Sequence, residues 1–506
     1  MKFTNPVIPG FHPDPSVCRV GEDFFLVTSS FEYFPGVPLF HSRDLVHWRQ
    51  IGHCLNRAAQ LQLDEAWCSG GIFAPTLRHH RGRFYMITTN FCARCHTLVQ
   101  AADPAGDWSD PVLLQIGGID PSLFFDDDGR CYVSATGQDG ILQAELDPAT
   151  GNLLGEPRSI WAGTGGCYPE APHTYKINGL YYLMISEGGT EYGHMETIAR
   201  SASVWGPYAP CPHNPILSNR STSLGLRCTG HADLVQDARG NWWAVFLAVR
   251  PVGYPPCHHL GRETCLAPVT WDADGWPMIG NKGRVDLVME GPCLPPHPWP
   301  QAPTTDDFDL PQLDLCWNFL RNPQTRHWSL TARPGCLRLT GGAGGLDGTA
   351  AQAFVGRRLE HFDCAIRTRV EFNPCLPGEE AGLTLLMNAT HHYEIVIMAG
   401  GAGCARRVQV RRRIGSLRAT VAETELPAGP VVLGLDTTAE QATFGLGTPD
   451  GNYQTLGGGE TRYLATEVAG GFTGAYVGLF ATGNGHDSLT PADFDWFQYQ
   501  PQRENP

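Results

Sequence analysis

"DPSLFFDDDGRCYVSATG", residues 120–137, reads as one unit: an acid and a proline, a few apolar residues, a polar turn closed by Gly129, then an aromatic and β-branched run. A turn between two short apolar segments is the mark of a β-hairpin. The same template recurs as DPSVCRVGEDFFLVTSS from Asp14, APTLRHHRGRFYMITTN from Ala74, APHTYKINGLYYLMISEGG from Ala171 and HADLVQDARGNWWAVFLAVR from His231. Successive starts lie 60, 46, 51 and 60 residues apart. That spacing fits a four-stranded sheet per unit, so the five units predict a five-bladed β-propeller in which each quoted segment is the first hairpin of a blade. First strands line the axis of such a ring. Asp14, Ala74, Asp120, Ala171 and His231 therefore converge on one mouth, with Glu170 one residue earlier in the fourth unit. Carboxylates gathered there raise one another's pKa and lose hydration. Such a costly arrangement points to a functional site, and a structural cation is its competing use. The prolines on either side of Asp14 predict an extended backbone at a strand entrance.

The propeller is expected over residues 1–295. "MEGPCLPPHPWPQAPTTDD", from Met289 to Asp307, is proline-dense and supplies a semi-rigid linker, placed at 296–310. Beyond it, in 311–506, period-two alternation returns in CLRLTG from Cys336, FDCAIRTRVEF from Phe362, AGLTLLMN from Ala381, YEIVIMAG from Tyr393, RVQVRRR from Arg407, VVLGLDT from Val431, AYVGLFATG from Ala475 and DFDWFQYQ from Asp493. Alternation at this spacing predicts a β-sandwich. Its final aromatic strand is expected to reach back to the first domain, and an independent sugar-binding module is the other use of such a domain.

The formal charge of −15 argues against nucleic acid or an anionic membrane and favours a neutral partner such as a sugar. MKFTNPVIPG carries no apolar core of signal-peptide length, and no stretch has the apolar run of a membrane span, so a cytoplasmic location is expected. The 17 cysteines are irregularly spread and read as reduced thiols. Cys92-Ala93-Arg94-Cys95-His96 matches the haem-attachment spacing, but nothing signals export or a distal ligand. Asp126 to Gly129 lacks EF-hand spacing and reads as a turn. A homo-oligomer is compatible with the chain.

"NPVIPGFHPDPS" from Asn5, "SSFEYFPGVPLFHSRDLVHW" from Ser29, "SGGIFAPTLR" from Ser69, "GGIDPSLFFDDDG" from Gly117, "YPEAPHTYKINGLYYLMISEGGT" from Tyr168, "GHADLV" from Gly230, "LGRETCLAPVTW" from Leu260 and "GGFTGAYVGLFATGNG" from Gly470 together resemble the β-xylosidases of glycoside hydrolase family 43. The resemblance spans both domains and implies an all-β chain, a five-bladed propeller followed by a sandwich. It implies an exo-acting β-1,4-xylosidase that releases xylose from the non-reducing end of xylo-oligosaccharides with inversion. Asp14 would be the general base and Glu170 the general acid. Asp120 would tune that acid and orient substrate. Arg262 would face the sugar hydroxyls, His231 would hold a water or a calcium ion beneath the site, and Phe31 and Phe73 would be stacking walls; Phe73 stands where the family often has Trp. Inversion needs the two carboxyls about 6.5–9.5 Å apart to admit a water. The chemistry needs no cofactor. An α-L-arabinofuranosidase, or one enzyme with both activities, is the near alternative. A non-catalytic carbohydrate-binding propeller is the distant one, and three carboxylates at their motif positions speak against it. A retaining fructan hydrolase would carry a W-M-N-D-P-N-G type entrance, which is absent.

Overall fold

The computed structural model describes residues 1–502 apart from 351, 401–405 and 448–452. Each repeat forms its own four-stranded antiparallel sheet. Blade 1 holds Ser16–Val20, Asp23–Val27, Gly36–Ser42 and Arg49–Leu55, and blade 2 holds Ile72–His80, Arg83–Asn90, Cys95–Ala101 and Val112–Leu114. Blade 3 holds Ser122–Phe125, Cys131–Gly137, Gly140–Leu146 and Arg158–Trp161. Blade 4 holds Glu170–Ile177, Leu180–Glu187, Met195–Ser201 and Ala209–Pro210, and blade 5 holds Arg227–Gln236, Trp242–Val249, Glu263–Trp271 and Pro277–Ile279. The ring is clasped by Lys2–Thr4, which pairs with Val288–Glu290 and sets Phe3 against Trp243 at 6.2 Å.

The axis is plugged by a buried polar knot. Asp233 accepts hydrogen bonds from Ser16 Oγ, Arg78 and Tyr175 Oη, each at 2.7 Å, and Arg78 also reaches His173 Nδ1 at 2.9 Å. These residues come from blades 1, 2, 4 and 5. A buried ion pair contributes little net stability against an apolar filling, but it demands one geometry, which fixes the relative setting of the strands above it.

The backbone at the blade entrances departs from the extended form expected at Asp14. Asp14 has φ of 56°, Asp120 53°, Ala171 54° and His231 49°, a region that costs L-residues free energy. Bulges accompany the kink between Glu170 and His173, between Gly230 and Asp233, and between Ile72 and Pro75. A straight strand would aim alternate side chains along the sheet faces; the kink turns these residues towards the axis.

The second domain packs an eight-stranded sheet on a six-stranded one. Cys364–Glu371, in the first, alternates strictly between buried and half-buried residues, as the period-two pattern requires. The six-stranded sheet runs Ala353–Arg358, Tyr476–Thr482, Glu380–Asn388, His391–Ala399, Arg406–Ile414 and Leu417–Leu426. Pairing of Thr305–Asp306 with the final strand puts the start of the sandwich inside the stretch read as linker. Among the described residues that final strand, Pro491–Pro501, pairs only with strands of the sandwich.

Pairing with the propeller falls to other parts of the sandwich. Phe319–Leu320 pairs with Tyr33–Phe34, and Tyr33 stacks on Tyr476 with centroids 3.8 Å apart and planes 8° from parallel. Arg358 donates from Nε to the Phe11 carbonyl at 2.6 Å. Gly474 carries no Cβ because one would lie 2.3 Å from the Leu260 carbonyl oxygen. Phe11, Phe31, Tyr33, Tyr476 and Phe480 thus share one apolar cluster across the two domains.

Candidate active site

One cavity at the mouth of the axis is lined by Asp14, Phe31, Phe73, Asp120, Glu170, His231 and Arg262, together with Ala74, Ile119, Thr190 and Phe472. All seven residues singled out in the sequence meet there. Phe472 comes from the sandwich, and the turn carrying it is pinned to blade 2 by a hydrogen bond from Phe472 N to Ser69 Oγ at 2.8 Å. A second anchor holds the same segment on blade 5: Glu467 accepts from His258 N at 3.0 Å and meets His258 Nδ1 at 2.8 Å.

Asp14 is buried and fully partnered. Arg262 Nη1 donates to Oδ1 at 2.8 Å, Ser29 Oγ donates to Oδ2 at 2.5 Å, and His231 Nδ1 stands 3.7 Å from Oδ1. Burial alone would raise the pKa of this carboxyl, but the Arg262 charge, then His231 and the Ser29 hydrogen bond, overcome it and hold Asp14 below the ordinary carboxylate range. Asp14 is the ionised acid of the three.

Glu170 goes the other way. Burial first, and then the negative charge of Asp14, push it up to about 7, with Arg262 opposing. Asp120 is pushed well above its ordinary value by burial, then by Glu170 and Asp14. Repulsion between Glu170 and Asp120 runs both ways, so the first to ionise holds the proton on the other. The charge that acts most on Glu170 is Asp14, whereas Asp120 was expected to tune it. Environments that separate buried carboxyls in this way assign one as base and another as acid.

Arg262 is no surface ion pair. It is buried, donates to Thr190 Oγ1 at 3.0 Å and to the Phe472 carbonyl at 3.3 Å, and its guanidinium lies 5.8 Å from the Phe31 ring and 5.7 Å from the Phe472 ring. His231, the candidate calcium ligand, is buried beside Asp14, and its backbone N–H donates to Ser186 Oγ at 2.7 Å. Ser186 in turn donates to Glu196, a buried acid pushed up to about 8 chiefly by burial. Among the described residues no group of three or more His, Cys, Asp or Glu side chains is arranged as a metal site. The haem-like spacing runs from a turn after Asn90 into the strand Cys95–Ala101, and His96 is spent on Thr89 Oγ1 at 3.2 Å and the Gly117 carbonyl at 3.0 Å. The 16 described cysteines are all free.

Ser29, Thr190 and Phe472 were not foreseen. Ser29 and Thr190 are ordinary polar residues with no local signal. Phe472 sits in GGFTGAY, one of the motifs carrying the resemblance, but its service to a site 458 residues from Asp14 is a matter of domain docking.

An acid held down by arginine, a second acid pushed up in the same cavity and aromatic walls make a site for acid–base cleavage of a polar, ring-shaped substrate. Known proteins agree. Residues 3–277 match Glycosyl hydrolases family 43, and residues 305–500 match the Beta xylosidase C-terminal Concanavalin A-like domain. The chain is 46% identical to the non-reducing end alpha-L-arabinofuranosidase BoGH43B of Bacteroides ovatus, over 98% of this chain and 94% of that one. It is 37% identical to a xylosidase/arabinosidase of Butyrivibrio fibrisolvens over 97% of this chain and 98% of the other. Among solved structures, xylan beta-1,4-xylosidase from Bacillus halodurans superimposes with a TM-score of 0.93 at 35% identity, covering 98% of this chain and 100% of that one. With family models matching the propeller and the sandwich, and relatives matching nearly the whole chain, the chain belongs to glycosyl hydrolases family 43.

Proposed function

We propose that the enzyme removes a single terminal pentose from the non-reducing end of a carbohydrate chain by one-step inversion, with β-1,4-linked xylose as the principal sugar. The observation that carries this is the meeting of Asp14, Asp120 and Glu170 in one small cavity where Arg262 and Ser29 donate to Asp14, so that Asp14 is held down while burial pushes Glu170 up. Asp14 would take a proton from the attacking water as Glu170 gives one to the departing oxygen. Arg262 would hold the base ionised while its remaining donors face the sugar. No step calls for a cofactor. Phe472 closes one side of the mouth, which favours a pocket over a through-going groove and hence exo action.

A second reading, α-L-arabinofuranose as the released sugar, is favoured by the name of the 46% identical relative. Both sugars are pentoses with closely similar hydroxyl patterns, and one pocket can take both. Comparing kcat/KM on aryl β-xyloside and aryl α-L-arabinofuranoside decides between them. A ratio above ten for the xyloside supports the first reading, and the reverse overturns it. Proton NMR of the first sugar released tests inversion: β-xylose as the initial product of a β-xyloside would rule it out.

A further inference from the structure

Three side chains stand in one row across blade 4. Glu170 is paired with Ser186 on the next strand, and Ser186 with Glu196 on the one after; directly paired residues share a face of the sheet. The first of the three is the candidate acid. The last is wholly buried and has neutral donors only: Ala232 N gives a hydrogen bond to Oε1 at 2.9 Å, Ser186 Oγ gives another to the same oxygen, and Oε2 has no partner among the described residues. A carboxyl in such a place costs free energy that an apolar side chain of like size would spare. What it holds accounts for the cost. The bulge between Gly230 and Asp233 takes His231 and Ala232 out of the blade 5 ladder, and buried N–H groups released in this way need acceptors. Both find them on blade 4, His231 N at Ser186 Oγ at 2.7 Å and Ala232 N at Glu196.

We propose that Glu196, acting with Ser186, is a positioning residue that braces the His231 bulge of blade 5 on the blade 4 row headed by Glu170, and so sets the candidate acid against the candidate base. This rests on the glycosidase reading and adds two residues to its machinery. The link to the base is His231, whose Nδ1 stands 3.7 Å from Asp14 Oδ1. The link to the acid is the strand register of Glu170 with Ser186. Reaction in one step needs both carboxyls placed at once around a water and a glycosidic oxygen, and small errors of placement lose much in rate. The brace needs an oxygen of the right reach and no negative charge. Burial first, with the nearby Glu170 adding to it, pushes Glu196 up to about 8 against the hydrogen bonds from Ser186 and the backbone.

The test measures kcat and KM on xylobiose, whose departing sugar needs protonation, or on an α-L-arabinofuranosyl xylobiose if that sugar is preferred, with the Tm of each variant followed by circular dichroism. Glu196→Gln keeps an oxygen at the same reach and should stay within about threefold of the unaltered enzyme in kcat. Glu196→Leu fills the same space without an acceptor and should lose about thirtyfold in kcat, with KM changed less than about threefold. Ser186→Ala removes one hydroxyl and leaves the core filled, so it carries the test where Glu196→Leu fails to fold; it should lose about tenfold in kcat. Combining the two should add little to the larger loss, because both cut the same link. Glu196→Leu as active as Glu196→Gln, or Ser186→Ala at full kcat, overturns the brace, since the residues would then only fill space. Glu196→Gln as slow as Glu196→Leu overturns it too, because the proton or charge of the carboxyl would be what matters. Failure of the unaltered enzyme to turn over these sugars and the aryl glycosides alike would sink the glycosidase reading instead.

Discussion

Asp14 must stay ionised while buried, and it must stay in a left-handed backbone conformation. Asn tolerates that conformation and keeps the side-chain shape while losing the charge. Asp14→Asn should fold normally and lose about a thousandfold in kcat on good and poor leaving groups alike, because a general base is needed for both. Steady-state rates on an aryl glycoside and a natural oligosaccharide check this; an aryl substrate largely spared would move the base elsewhere. Glu170→Gln should behave oppositely, with natural substrates losing about a thousandfold and activated aryl glycosides far less, since their leaving groups need little protonation. The acid works only while protonated, so kcat/KM should fall as pH rises through about 7, the value to which Glu170 is pushed. On the acidic side activity should persist below the ordinary carboxylate range, because Arg262 keeps Asp14 ionised there. Asp120 keeps its proton while Glu170 titrates, because burial, Glu170 and Asp14 all push it up, so Asp120→Asn should leave the alkaline limb in place. A limb that moves clearly to lower pH would show that Asp120 ionises first.

At the scale of single elements, the short helix Thr466–Ala469 shows how the sandwich serves the site. Its Glu467 meets His258, and Phe472 follows a few residues later at the cavity wall. Glu467→Ala should leave the fold intact and lower kcat/KM about tenfold by letting that wall drift, and Phe472→Ala should mask most of the effect of Glu467→Ala in the double variant. Additive losses in that cycle would separate the two. Inside the sandwich, Glu379 accepts from the N–H groups of Cys375, Leu376, Leu489 and Thr490 and from the hydroxyls of Ser488 and Thr490. It is pushed down to about 2, since these donors outweigh burial. A depressed folded pKa stabilises above the unfolded value of roughly 4.3, and the gain is lost as pH falls through the folded value. Glu379→Gln should therefore lower Tm clearly at pH 7 and hardly at all near pH 2. An equal loss at both would assign the effect to packing.

Legibility also divides by element. The blade hairpins were plain because each repeats an apolar run, a glycine turn and an aromatic run. Leu417–Leu426 was not, since it is an exposed outer strand with little apolar content to alternate, and Tyr453–Glu460 was hidden by three successive glycines. Ala353–Arg358 carries two arginines and a glycine, yet Arg358 is buried against Phe11 of the propeller, a partner its own segment cannot reveal. Axial acids could be read from their template position. The kink that aims them could not, because proline on both sides of Asp14 argues locally for extended backbone and the tertiary setting prevails.

In the whole molecule the sandwich covers part of the propeller and supplies one wall of the cavity. Cutting the chain after residue 303 would expose Phe11, Phe31 and Tyr33, which the sandwich now covers, and would remove Phe472 from the cavity. The isolated propeller should aggregate or, if soluble, retain less than a hundredth of kcat/KM. Size-exclusion chromatography with activity across the peak checks this, and a monodisperse propeller of full activity would show that the sandwich is dispensable.

The Asp14–Arg262 pair joins the first blade to the last, and Phe472 lies beyond both. A ribosome makes Asp14 well before Arg262, so until blade 5 emerges that acid lacks its arginine partner, and until Phe472 follows it has no closed pocket. Folding proceeds from the N-terminus during synthesis, so a nascent propeller would be catalytically silent over most of its time on the ribosome. Chains stopped before Phe472 would lack hydrolytic power for the same reason, and activity reports synthesis at least that far.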